Sequence, residues 1–172
     1  MVFLRFVGVV NAAIWFGAAI FFTLGAGPAF FSAEMKQLLT LPYAGAAAQI
    51  VIARYFVLQQ CCGAIALVHL FAEWIYMGRP LERIMLGLVI GLFSLGLIGG
   101  FWLQPKLQRL HLTKYRGATV EQRERAAKSF GAWHGVSQTM NLLMTGALLY
   151  YLWRLTNPKS PSRFVRPAKF RG

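Results

Sequence analysis

Four long tracts almost free of charge constrain this chain more than any other feature. Phe6–Gly27, Ile84–Leu103 and Phe130–Trp153 contain no Asp, Glu, Lys or Arg, and Tyr55–Met77 contains only Glu73. Tracts of about 20 apolar residues cross a bilayer as helices, because a helix satisfies its own backbone hydrogen bonds where water is absent. A soluble helical bundle would need polar outer faces, which these tracts lack. The predicted fold class is all-α: an integral membrane four-helix bundle with antiparallel spans and both termini on the same side. The spans are placed at about 6–27, 55–77, 84–103 and 130–153, in a transmembrane domain of residues 1–155. Residues 156–172 are expected to form a basic, flexible tail. The first tract is too long for a signal peptide and no small-residue cleavage site closes it, so it reads as a retained span.

The net charge is +13, although 57% of the residues are hydrophobic and the mean hydropathy is +0.51. Such a charge first suggests nucleic acid. Here the basic residues flank apolar spans and no nucleic-acid motif is present, so the expected partners are the lipid bilayer and its anionic headgroups at the basic loop and tail. The chain is expected to be a multi-pass integral membrane protein, of the inner (cytoplasmic) membrane if it is bacterial. Nine basic residues fall on each side of the spans, so the positive-inside count ties. The arginines of the short "GRPLER" hairpin loop favour cytoplasmic termini. Cys61 and Cys62 are adjacent and point about 100° apart on a helix, which argues against a disulfide between them.

The connections differ in kind. After Pro42 an Ala-rich helical stretch leads into span two, with Arg54 at the interface. Between spans three and four lies "QPKLQRLHLTKYRGATVEQRERAAK", read as a polar loop whose end carries a helix start. Thr119 with Gln122 suits a capping box, and Glu121 with Arg125 and Glu124 with Lys128 are spaced as i,i+4 pairs. Span four therefore begins as a water-exposed helix near Val120.

Polar residues inside the spans form stripes. His134, Ser137, Gln138, Asn141 and Thr145 fall on one face of span four; Tyr55, Gln59, Cys62, Ala66, His69 and Glu73 fall on one face of span two. Polar groups at membrane depth turn inward, so the two spans are expected to face each other or a shared interior. Span one offers Asn11 and Trp15. Span three offers Gly87 with Gly91 and Gly96 with Gly100, spaced for close backbone approach. A rise of about 1.5 Å per residue sorts the polar groups by depth. One cluster, near the loop side, holds Gln59, Gln60, Trp102, His134 and Ser137. Asn141 lies near the midplane. Asn11, His69, Glu73 and Thr145 lie toward the terminal side.

The ordered set "FFTLGAGPAFF", "ARYF", "FWLQPK" and Phe130, Trp133, His134, Gly135, Ser137, Asn141 resembles the family of the human transmembrane protein 205, which includes the bacterial domain of unknown function 4149. The resemblance covers most of residues 1–155. It implies a four-span membrane protein and names no reaction.

The sharper chemical readings meet obstacles. His69 and His134 differ in height by about 15 Å, which is unsuited to the two axial ligands of one haem. No CxxC, HxxxH or Met-rich repeat organises the histidines, cysteines and methionines around copper or zinc. Ser137 follows His134 by three residues, but the chain has no aspartate and Glu73 lies in the other half, so a triad is not expected. Glu73 reads as an interfacial residue paired with Arg79, in preference to a proton relay with His69. The resulting expectation is a non-enzymatic binding, transport-related or assembly protein with a polar interior between spans two and four, no catalytic residue, no metal site and no cofactor. A haem- or metal-linked redox protein with His134 or His69 as ligand is the rival. The GxxxG pairs permit a homo-oligomer or a membrane partner protein.

Overall fold

A computed structural model describes residues 2–77 and 82–157. Helix α1 (Val2–Ile20) runs through a π-helical segment, Phe21–Ala26, into α2 (Gly27–Ala29). A short α3 (Ala33–Leu38) precedes α4 (Leu41–Met77). Helix α5 (Arg83–Ile98) passes through a second π segment, Gly99–Leu103, into α6 (Gln104–Arg116), and α7 (Val120–Thr156) follows. The described residues are helical throughout apart from short connections, and contain no strand. Three stretches, Phe3–Ala29, Leu41–Tyr76 and Arg83–Arg116, are long and apolar enough to cross a membrane, as in a membrane protein. Helix α7 has 37 residues, as many as α4, and spans about 55 Å. Its polar stripe keeps it out of that set.

Helix α1 packs between α4 and α7, and α5 packs against the same two helices, so α4 and α7 lie across a diagonal. The stripes on α4 and α7 therefore share an interior with α1 between them, and they meet through Tyr55 and Asn141. Antiparallel pairing of α1 with α4 brings Gly8 to His69, Asn11 to Cys62 and Trp15 to Gln59. Pairing of α1 with α7 brings Arg5 to Thr156, Trp15 to Tyr151 and Thr23 to Asn141. The core lies in the half nearer the termini: Trp15 and Ala19, Ala66 and Leu70, Val89 and Leu92, Leu148 and Tyr151. Small residues make this half tight. A Cβ on Gly8 would sit 2.4 Å from the His69 ring, and one on Gly63 would sit 2.5 Å from the Phe93 ring. Gly87 and Gly91 have nothing within 4 Å, so the close approach expected of that pair is not made, whereas Gly99 and Gly100 receive Phe56 and Gln60. The outward surface is apolar, with Phe6, Phe21, Val68, Leu143 and Leu149 all exposed.

Two prolines shape the other half. Proline lacks an N–H and its ring clashes with the carbonyl four residues back, which breaks a regular helix. The sequence predicts span one to end at Pro28. The helix instead passes it, because the preceding turn widens: Gly27 N–H donates to Phe22 O, five residues back. Gln104 N–H donates likewise to Gly99 O just before Pro105. The stretch after span three, expected to be a polar loop, is thus the amphipathic helix α6. It buries Leu107 and His111 against α4 and α7. Gly45 of the Ala-rich stretch admits His111, where a Cβ would lie 2.2 Å from Nε2. The start of α7 is capped as its sequence suggests, with Thr119 Oγ1 accepting from Gln122 N–H at 3.2 Å and Arg125 paired with Glu121.

Candidate binding cavity

Beyond Thr23 and Asn141 the helices part and enclose a cavity of about 520 Å³, within the range typical of small-molecule sites. Its walls come from both proline-containing turns. Phe22, Pro28 and Phe31 line one side, Ile52 and Phe56 of α4 another, and Leu103 and Leu107 a third; α7 contributes Met140 and Leu142. The polar lining is Gln49, Gln104, His134, Ser137 and Gln138, with Thr23, Tyr55, Gln59 and Asn141 at the inner end. Among the described residues no Asp, Glu, Lys or Arg lines it.

That inner end is a hydrogen-bonded band across three helices. Tyr55 Oη donates to Asn141 Oδ1 at 3.0 Å, Asn141 Nδ2 donates to Thr23 Oγ1 at 2.6 Å, and Thr23 Oγ1 donates to Ala19 O at 2.6 Å. Trp15 Nε1 donates to Gln59 Oε1 one turn deeper. Each step uses a donor against an acceptor, so the band is held in one sense at the inner end of the cavity. Phe22 stacks on Tyr55 with centroids 4.4 Å apart and fixes that ring. Two buried amide atoms lack partners: Gln49 Oε1 and Gln59 Nε2. Gln104 is also buried, only 8% exposed. Buried polar atoms without partners are costly; His69 Nδ1, Tyr151 Oη and Arg154 Nε are others, in the packed half, but the amides of Gln49 and Gln59 border open space that a polar group or water can enter.

The residues singled out from the sequence divide. Gln59, His134 and Ser137 border the cavity, and Asn141 closes it. His134 stacks on Phe130 with ring centroids 5.6 Å apart. Gln60 lies beside Gly100, and Trp102 is outside the cavity. Trp102 meets Trp133 edge-on at 5.2 Å, with Lys106 Nζ 3.4 Å from the Trp133 centroid and 4.8 Å from the Trp102 centroid. Asn11 and His69 each tie α4 to α1. Asn11 Nδ2 donates to Cys62 O at 2.9 Å, and His69 Nε2 lies 2.9 Å from Leu4 O. Thr145 donates to Asn141 O on its own helix. Arg79 and the basic tail from residue 158 lie outside the described residues. At that end Arg154, buried, is paired with Glu82. Among the described residues no group of three or more His, Cys, Asp or Glu side chains is placed to hold a metal ion.

Gln49, Gln104 and Thr23 are absent from the sequence-derived set. Gln49 and Gln104 fall outside spans cut where hydropathy changes, yet their helices run on past those limits. Thr23 continues the Asn11–Trp15–Ala19 spacing of α1, and this was the available signal.

Residues 10–116 match the family model for a domain of unknown function, DUF4149. The chain belongs to the DUF4149 family. No curated protein and no solved structure matches it. The matched DUF4149 segment holds Thr23, Gln49, Tyr55, Gln59 and Gln104, while α7, with His134, Ser137 and Asn141, lies beyond it.

Proposed function

We propose that this DUF4149 protein is a four-span membrane protein that binds a small, largely apolar ligand in the cavity. It acts as a binding or transport-related protein and not as an enzyme. The observation that carries the reading is the cavity itself, an uncharged chamber whose apolar walls hold a few convergent amides. Helix α7 serves as the fourth span over about residues 130–153. Its length and its packing along α1 and α5 support this, and its polar stripe borders the cavity and the band. The motif from Phe130 to Asn141 aligns the chain with the transmembrane protein 205-like proteins. The termini face the cytoplasm, and the basic residues of α6 meet anionic headgroups.

Photolabelling tests the reading. A small uncharged aryl diazirine is added to the full chain in nanodiscs and labelled residues are mapped. Leu103 and Leu107, only 2% and 4% exposed, line the cavity and should be labelled; Val89 and Leu92, 0% and 2% exposed in the packed half, should not. Equal absence of label from all four residues would refute a binding cavity. The haem or metal alternative predicts a Soret band or stoichiometric metal in the purified protein.

A further inference from the structure

The exposure of the cavity walls is lopsided. On the α4 and α6 side, Gln49, Gln59, Leu103, Gln104 and Leu107 are all buried. On the opposite side, Pro28, Phe31, His134, Gln138 and Leu142 are all exposed and also line the cavity. These five come from α2 with the turn after it and from α7. The cavity therefore has a closed back and a side opening, a gap between α2 and α7 above the Thr23–Asn141 contact. Pro28, Phe31 and Leu142 at the opening are apolar and exposed, beside His134 and Gln138, so the rim offers an apolar path into the cavity from the side of the bundle.

We infer that the cavity is loaded sideways from the bilayer, through the gap between α2 and α7, by a single-chain amphiphile with an uncharged head. The inference rests on the binding reading above. The chain part follows from the walls: Phe22, Ile52, Phe56, Leu103 and Met140 offer an apolar surface, and about 520 Å³ takes one hydrocarbon chain with a small head, well short of a two-chain phospholipid. The head part follows from the polar lining. Gln49, Gln104, Ser137 and Gln138 both donate and accept, as hydroxyl and ester groups require. His134 is the one titratable imidazole in the described lining, which otherwise offers a charged head no Asp, Glu, Lys or Arg, and an unpaired charge at that depth is expensive. Lys106, two residues beyond Gln104, is held over the Trp133 and Trp102 rings instead.

The test uses the full chain in phosphatidylcholine nanodiscs and a 1-monoacylglycerol carrying a mid-chain diazirine. Label is expected on Leu103, Leu107 and Met140. Excess 1-monooleoylglycerol should reduce it at least fivefold, and the same concentration of ionised oleate less than twofold. Gln138→Trp and Leu142→Trp, which narrow the gap from its exposed rim, should each reduce labelling at least fivefold. Leu143→Trp, exposed but outside the lining, should leave it unchanged. Competition by oleate equal to that of monooleoylglycerol would overturn the uncharged head. Unchanged labelling in both gap variants would overturn sideways entry. If the small aryl diazirine labels Leu103 and Leu107 while the monoacylglycerol labels neither, the inference falls and the binding cavity stands. If neither probe labels them, both fall.

Discussion

The two halves of the interior share α4 and α7 but differ in what completes them: α1 and α5 in one, the π segments that follow them with α2 and α6 in the other. Toward the termini, α1, α4, α5 and α7 meet over Trp15, Ala66, Val89 and Leu148, all without exposed surface, and glycines let His69 and Phe93 lie flat against neighbouring backbone. Toward the other end, α4 and α7 continue beside the two π segments, α2 and α6, around a cavity bordered by amides with unpartnered atoms. Two widened turns at Pro28 and Pro105 coincide with that change. Close packing of small residues makes a membrane core. A proline-containing π turn re-aims the helix end and makes room beside it. Such turns recur at functional positions.

The comparison can be broken most forcefully in the packed half. Trp15→Ala removes the largest fully buried side chain, its hydrogen bond to Gln59 and its edge contact with Tyr151. It should cost about 3–5 kcal/mol in a reversible unfolding assay in detergent. Gly8→Ala drives a methyl into the His69 ring and should cost about 1–3 kcal/mol. Gly135→Ala, with nothing within 4 Å of the new methyl, should change stability by less than about 0.5 kcal/mol in the same assay. The boundary between the halves responds less. Asn141→Ala deletes the bonds to Tyr55 and Thr23 and should cost about 1–2 kcal/mol. It should also extend small-probe labelling past the band toward Ala19. Pro28→Ala allows a regular helix at the first π turn and should change stability by less than Asn141→Ala, within about 1 kcal/mol, while reducing labelling of Leu103 and Leu107 as the cavity narrows.

Much of this architecture is legible in the sequence, and the losses have physical causes. Charge-free tracts locate the apolar helices, because desolvating charge dominates every competing term in a bilayer. Helical spacing places His134, Ser137 and Asn141 on one face, and all three border the cavity or its floor. Hydropathy, however, reports where a helix leaves lipid and not where it ends. Gln49 and Gln104 were hidden for that reason, as was all of α6. Depth counting places Trp102 near His134, and its indole meets the adjacent Trp133 and Lys106, outside the cavity. Partner choice across the interior was also hidden. The stripes on α4 and α7 imply a common polar interior, and only the packing shows α1 between them, using Asn11, Trp15 and Thr23 to bind one and the other.

One paired substitution tests the division of the interior most directly. Ala48, at the cavity wall, and Ala66, in the packed core, are both buried alanines on α4. Each is replaced by Phe, and thermal unfolding is followed in detergent together with small-probe labelling of Leu103 and Leu107. The account predicts that Ala48→Phe keeps stability within about 1 kcal/mol of the parent and loses the label. It predicts that Ala66→Phe, forced into a filled space, loses at least about 3 kcal/mol. Equal destabilisation by the two substitutions would contradict it.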